Sequence, residues 1–304
     1  MTSDSAFTSF PDALAAWHLR GDRARVFGQE VFFVDSGGPG PVLLLLHGFP
    51  TCSYDFHRVF DRLAESFRVV AHDHLGFGFS AKPREYSYSL LEQAEVAVEL
   101  WRALGVGRAH VLGHDYGTSV VTEVLARRER GLLPIEVESV TLSNGSIHLD
   151  LARLRLTQRI LRHPVAGPWL ARAVGRRFFK RRLRALWGDP SKIDESDLDA
   201  LWLALEAGSG RFLLPKISGY LDERVRFRER WVGALEHLDV PAHILWGRRD
   251  PIAVPAIAEA LVGEIPNARL TWLEEEGHFP MLEAPEQWAA AILDFHGRIG
   301  AHGS

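Results

Sequence analysis

Three residues far apart in the chain carry side chains that could make and break bonds together: Asp115, Asp250 and His278. Asp115 stands in Val111-Leu112-Gly113-His114-Asp115-Tyr116-Gly117-Thr118-Ser119, where an apolar pair runs through Gly-x-Asp-x-Gly into a helical pattern. A strand, a sharp turn and a helix in that order hold the central side chain above a sheet, at a helix N-terminus that favours negative charge. The flanking glycines let the strand and helix backbones approach where a Cβ would clash. A carboxylate held there can attack carbon and form an ester. The same residues also fit an aspartate that merely caps the following helix, so the choice rests on context.

Two later loops supply that context. Trp246-Gly247-Arg248-Arg249-Asp250-Pro251 offers a second carboxylate, and Glu274-Glu275-Glu276-Gly277-His278-Phe279-Pro280 offers a histidine. Taken singly, Asp250 reads as a turn residue before Pro251, and His278 as a loop histidine among acids. With Asp115 they run in the order nucleophile, acid, histidine, the order found where a nucleophile sits on such a turn. Each follows an apolar strand pattern, so one end of a sheet can gather all three. Residue type, order and position together favour catalysis over three separate structural roles.

The elements that must position these residues alternate. Residues 25–35 read as two short β segments joined at Gly28. Val42-Leu43-Leu44-Leu45-Leu46 is a continuous apolar run, which suits a strand buried on both faces. A helix is expected around 56–66 and a strand over 67–73. Residues 89–104 form an amphipathic helix pattern, capped by Ser89, with Leu90, Ala94, Ala97, Leu100 and Trp101 inward. Further strands fall at 109–112, 139–143, 240–247 and 268–273, and residues 285–295 supply a closing helix. This is an α/β pattern with a mostly parallel central sheet flanked by helices, whose ligands bind beyond the carboxyl ends of the strands. Apolar strand runs vanish over residues 147–232, which read as an inserted helical cap between core segments 21–146 and 233–300. Residues 1–20 read as a loose lead-in, and 301–304 as a frayed tail.

Composition narrows the class. With 304 residues, 46% hydrophobic and 24% charged, the chain is that of an ordinary globular protein, and a net charge of −4 gives no general attraction for nucleic acid. A single cysteine, Cys52, excludes a disulfide framework and a cysteine-based zinc site. No basic-then-apolar run opens the chain, so a reducing, cytoplasmic compartment is expected. His72-Asp73-His74 looks like a metal clip but lacks further ligands at suitable spacing, so no metal is expected. The basic amphipathic stretch 176–184 fits contact with an anionic membrane surface. It fits better a solvated helix face balanced by the acids of 189–199.

His47-Gly48-Phe49-Pro50, Asp73-His74-Leu75-Gly76-Phe77-Gly78-Phe79-Ser80, Gly113-His114-Asp115-Tyr116-Gly117 and Gly277-His278-Phe279 together resemble the α/β-hydrolase superfamily. The likeness, over about residues 20–298, is to the aspartate-nucleophile branch of epoxide hydrolases and haloalkane dehalogenases. The stretches HGFPTCSYD (47–55), LGFGFS (75–80), HDYG (114–117), LSNG (142–145) and RWVGAL (230–235) are similar to an animal subgroup of that fold.

The resemblance implies an α/β-hydrolase fold and an alkyl ester formed on Asp115. His278 would then activate a water, with Asp250 orienting the imidazole. The main-chain N–H groups of Phe49 and Tyr116 would be the oxyanion donors. The partners so implied are a small apolar organic substrate and water, with no cofactor. A carboxylate nucleophile displaces a leaving group at saturated carbon, which ranks esterase and lipase chemistry low. His47-Gly48-Phe49-Pro50 is the epoxide-hydrolase form, and Tyr116 stands where dehalogenases carry a halide-binding tryptophan. Epoxide opening also needs an acid; the family uses two cap tyrosines, and this cap holds one, Tyr220. In the dehalogenase alternative, Trp187 or Trp202 would hold the halide. His47, His114, Trp187 and Trp202 are the candidates for the pocket wall. A protein that only binds a ligand is a third reading, and it leaves Asp115, Asp250 and His278 without a purpose.

Overall fold

The computed structural model describes residues 10–302. Its frame is one eight-stranded sheet: β1 Asp22–Val26, β2 Gln29–Asp35, β3 Val42–Leu46, β4 Arg68–His72, β5 Arg108–His114, β6 Glu136–Ser143, β7 Ala242–Gly247 and β8 Arg269–Leu273. The spatial order is β1-β2-β4-β3-β5-β6-β7-β8. β2 lies antiparallel to β1 and β4, and every other pairing is parallel. Helices cover both faces, which is why Leu43 to Leu46 are buried without alternation. Parallel strands send all their carboxyl ends to one edge. The loops after β3, β4, β5, β6, β7 and β8 therefore meet there.

The helix Leu90–Ala103 forms as its pattern predicts. Ser89 Oγ accepts from the Leu91 N–H, and Leu90, Ala94, Ala97, Leu100 and Trp101 are buried. The helix Tyr116–Glu129 is buried from its start to Ala126, between the sheet and the returning helix Arg228–Glu236. Glu123 ties those two helices together. Its carboxylate accepts from Arg127, from Arg230 at 2.7 Å and from Trp231 Nε1 at 2.9 Å. Burial opposes its charge, and those donors overcome burial and hold the carboxyl below the usual range.

Between β6 and β7 lies the inserted helical region, from Leu156–Leu161 to Tyr220–Arg226. Within it, the basic helix Arg176–Arg184 buries Phe179 and Leu183. On its outer side Arg176 and Lys180 pair with Asp199, and Lys180 and Arg184 pair with Glu195. Among the described residues no helix is long and apolar enough to cross a membrane.

Three local expectations need correction. The loose lead-in contains a helix, Asp12–Arg20. Its stability is tertiary: Leu14 and Trp17, three apart and so on one face, are buried, and Trp17 meets Phe60 edge-on at 5.2 Å. Residues 1–9 lie outside the described part. The helix expected over 56–66 is split into a 3₁₀ turn, Ser53–Phe56, and a short helix, Phe60–Ala64. The closing helix runs on as Pro285–His302, so half of the expected frayed tail is helical; Gly303 and Ser304 lie outside the described part.

Candidate active site

β5 ends in the predicted sharp turn. Asp115 has φ 44° and ψ −106°, a conformation that costs a non-glycine residue energy and is held by its surroundings. A Cβ on Gly117 would lie 2.2 Å from the Leu46 carbonyl, and one on Gly113 would lie 2.7 Å from Gly117. Those two glycines are what allow the turn to close. Asp115 stands at the cap position of the helix Tyr116–Glu129, yet its side chain makes no capping bond. Its Oδ2 instead accepts the Phe49 N–H at 2.9 Å. Tyr116 is the first residue of the helix, so its N–H is one of the donors that a helix start leaves free.

The other two predicted residues meet at the same edge. His278 Nδ1 faces Asp250 Oδ2 at 2.7 Å, with both side chains buried. The second oxygen of Asp250 accepts from the main chain of Ile252 at 2.7 Å and Ala253 at 3.0 Å. Asp250 is thus a turn residue and a histidine partner at once. Burial works against a charge on His278, but the charge and hydrogen bond of Asp250, with the charges of Asp115 and Glu283, push its pKa up to about 9.

Asp115 and His278 open into one cavity of about 110 Å³ beneath the inserted helices. Phe49, Pro50 and Ile252 complete its core side. The cap side is mostly apolar, with Leu161, Leu170, Val174, Phe179 and Leu183, joined by Gln158, Arg155 and Arg182.

Tyr220 sits beside this cavity rather than in its wall. Its ring packs on Phe49 at 5.5 Å and on Tyr116 at 5.1 Å, and the Gln158 side chain reaches its hydroxyl. Burial and the charge of Asp115 push the phenol up, so it stays protonated.

The four pocket candidates do not form the wall. Trp202 packs behind the wall on Phe179 at 5.4 Å, and Trp187 stacks on Phe279 at 5.1 Å. His47 is buried with its ring between two main-chain groups: it donates from Nδ1 to the Gly48 carbonyl and accepts at Nε2 from the His74 N–H. His114 donates from Nε2 to the His278 carbonyl at 2.7 Å. Burial drives both rings down, to about 3 for His47 and about 4 for His114, so both are neutral supports. The sequence pattern could not distinguish a residue in the wall from one behind it.

Asp73 holds its own loop, accepting from the Ser53 N–H at 2.7 Å and the Phe79 N–H at 2.6 Å. Among the described residues no three His, Cys, Asp or Glu side chains are grouped to hold a metal ion.

Three residues that sequence reasoning did not single out complete the site. Asn144, at the end of β6, donates to Asp250 Oδ2 at 2.8 Å and accepts the Gly247 N–H at 3.0 Å. Arg224, from the cap, is only 2% exposed and donates to Ser119 Oγ at 2.7 Å and to the Asp115 carbonyl at 3.2 Å. Glu283 accepts the N–H groups of Gly277 and Phe279, on either side of His278, and of Gly188 in the cap. The only hint was Asn144 within the Leu142 to Gly145 stretch.

An eight-stranded, mostly parallel sheet with an aspartate on a strained turn, an Asp–His pair at neighbouring strand ends and an inserted helical region defines a hydrolase fold. A profile described as alpha/beta hydrolase fold matches residues 41–285, and the chain belongs to that family. It is 40% identical to the putative hydrolase LipZ of Mycobacterium tuberculosis, over 86% of this chain and 90% of LipZ. It is 35% identical to the mesoderm-specific transcript protein of Mus musculus, over 93% of this chain and 88% of that protein. Among solved structures it is similar in fold to the haloalkane dehalogenase DbeA of Bradyrhizobium elkani (TM-score 0.79, 22% identity, 93% of this chain and 99% of that one). The epoxide hydrolase CorEH is also similar (TM-score 0.75, 21% identity, 92% and 99%). The protein thus has the hydrolase fold, and it shares that fold with a haloalkane dehalogenase and an epoxide hydrolase.

Proposed function

We propose that this protein opens epoxides to diols through an alkyl ester on Asp115. One observation carries the reading: the Asp115 carboxylate makes no capping bond, keeps one oxygen on the Phe49 N–H and shares a cavity with His278. Oδ1 attacks an epoxide carbon, the ring C–O bond breaks, and the ring oxygen takes a proton from the Tyr220 phenol, which must first swing in from beside the wall and leave Gln158. His278 then takes a proton from water as its oxygen adds to Cγ of the ester. The resulting oxyanion develops on Oδ2, where the Phe49 and Tyr116 N–H groups stabilise it. Collapse releases the diol oxygen, which takes the proton back from His278, and the proton left on the new carboxyl restores the Tyr220 phenol. Asp115 keeps one oxygen from water.

His278 must be neutral to act as a base, and the ester shifts it in that direction. Esterification removes the charge of Asp115, one of those that hold His278 up. Tyr220, though outside the wall, lies near enough to Asp115 for that charge to raise its phenol, whereas both cap indoles pack behind the wall; this supports an epoxide over a halide.

The test uses His278→Gln protein, in which the ester should persist, incubated with a panel of epoxides and haloalkanes. The Asp115 peptide is expected to gain the full mass of an epoxide. A gain equal to a haloalkane less its hydrogen halide would make the protein a dehalogenase. No adduct on Asp115 in folded protein, together with no turnover by wild type, would sink the covalent mechanism for these substrate classes.

A further inference from the structure

We infer that the substrate carries an anionic group, a carboxylate or a phosphate, which Arg155 and Arg182 hold on the cap side while its apolar body reaches Asp115. This rests on the proposed function for the reacting group alone. The anion is argued from the cap.

Four side chains in the cavity wall bear or can bear charge: Asp115 and His278 on the core side, Arg155 and Arg182 on the cap side. Among the described residues Asp115 is the one carboxylate in that wall, and it belongs to the proposed reacting centre. Arg155 donates from Nη2 to the Ala185 carbonyl at 3.0 Å, and its Nε is buried with no partner. Among the described residues neither Arg155 nor Arg182 pairs with a carboxylate. Arg176, Lys180 and Arg184 on the same helix as Arg182 all do. Among the described residues Arg177 and Arg181 have no carboxylate partner either, but they are exposed and outside the wall.

A buried N–H without an acceptor is costly, and an anion supplies the strongest acceptor it can meet. The guanidinium fork matches the oxygens of a carboxylate or phosphate, and two such forks flank this cavity. The rest of the cap-side wall includes Leu161, Leu170, Val174, Phe179 and Leu183, which suit a hydrocarbon body. Arg182 and Phe178 are exposed, so the anion would sit where the cavity meets water and keep part of its hydration.

Unreactive probes test the anion apart from the chemistry. Decanoate, decyl phosphate and decanol are titrated into the wild type and into the Arg155→Gln/Arg182→Gln variant, whose folding is checked by its melting curve. At least one acid is expected to bind tenfold or more tighter than decanol, and the variant should lose that preference. Whichever of decanoate and decyl phosphate binds more tightly identifies the group. The inference is overturned if decanol binds as tightly as both acids, or if the preference survives in the variant. Arg176→Gln, which breaks an outer ion pair, should leave the preference intact. A second arm compares turnover of a 9,10-epoxy fatty acid with its methyl ester. Acid-selective binding without an Asp115 adduct from either would leave the anion site standing and remove the epoxide.

Discussion

Asn144 donates its side-chain amide to Oδ2 of Asp250 at 2.8 Å, the same oxygen that faces His278 Nδ1 at 2.7 Å. The carboxylate is therefore fixed by a residue from β6 as well as by its own turn. Asn144→Ala should slow hydrolysis of the Asp115 ester by about 10- to 100-fold, the worth of a hydrogen bond to a charged group, and spare ester formation. Single-turnover quenching with mass analysis reads both steps. Equal slowing of the two would mean that Asn144 does not act through Asp250.

Asp250, with the charges of Asp115 and Glu283, holds the His278 pKa up at about 9, and removing the Asp115 charge should bring it down. NMR titration of Asp115→Asn is expected to show a lower midpoint than wild type. Ester hydrolysis should rise with pH through a midpoint below 9, because the base is needed neutral while Asp115 is esterified. A His278 midpoint unchanged in Asp115→Asn would contradict this coupling.

Tyr220→Phe should slow ester formation from epoxides by about 10²–10⁴, the usual contribution of a positioned acid. Hydrolysis of an ester once formed should change little. Retention of full ring-opening activity would assign the acid elsewhere.

Arg224 steadies the strained turn from above by its bond to the Asp115 carbonyl. Arg224→Met is expected to lower the rate of ester formation about tenfold or more, since that bond involves a charged donor. Arg224→Lys, which lacks the planar fork, should restore little of it. Quenched-flow measurement of the first step decides. A variant that differs from wild type only in melting temperature would make Arg224 purely structural.

Stability should fall on the acid side of neutrality. His47, His72, His243 and His296 are held neutral by burial, with pKa values lowered to about 3, and His114 to about 4. Unfolded, each takes a proton near 6.5, so stability falls as pH drops below 6.5, by up to about 1.4 kcal/mol per group per pH unit. His278 acts oppositely: its contribution is full below 6.5 and is lost as pH rises through 9. Urea midpoints at several pH values between neutral and mildly acid check this. A flat profile would mean either that these rings are protonated when folded or that buried carboxyls such as Asp55 and Asp73, which burial raises, offset them.

Much of the fold was legible because it follows from local pattern. The apolar run of β3, the cap and stripe of Leu90–Ala103 and the glycines about Asp115 each act within a few residues. The order Asp115, Asp250, His278 pointed to the candidate site because parallel strands deliver their ends to one edge. Asn144 and Arg224 were hidden for the opposite reason. Their partners lie 106 and 109 residues away, and nothing near either residue marks it. The helix Asp12–Arg20 was misread likewise, since docking on Phe60 rather than propensity holds it.

The main-chain N–H of His278 donates to the Leu186 carbonyl, and Glu283 binds Gly188 in the same grip as Gly277 and Phe279. The backbones there are so close that a Cβ on Gly277 would lie 2.2 Å from that carbonyl. Roof and base are hence one mechanical part. A swing of the roof wide enough to break these bonds would also take from His278 the anchors that aim it. Such an open molecule would be an idle one, and the gate and the trigger would reset together when it closed.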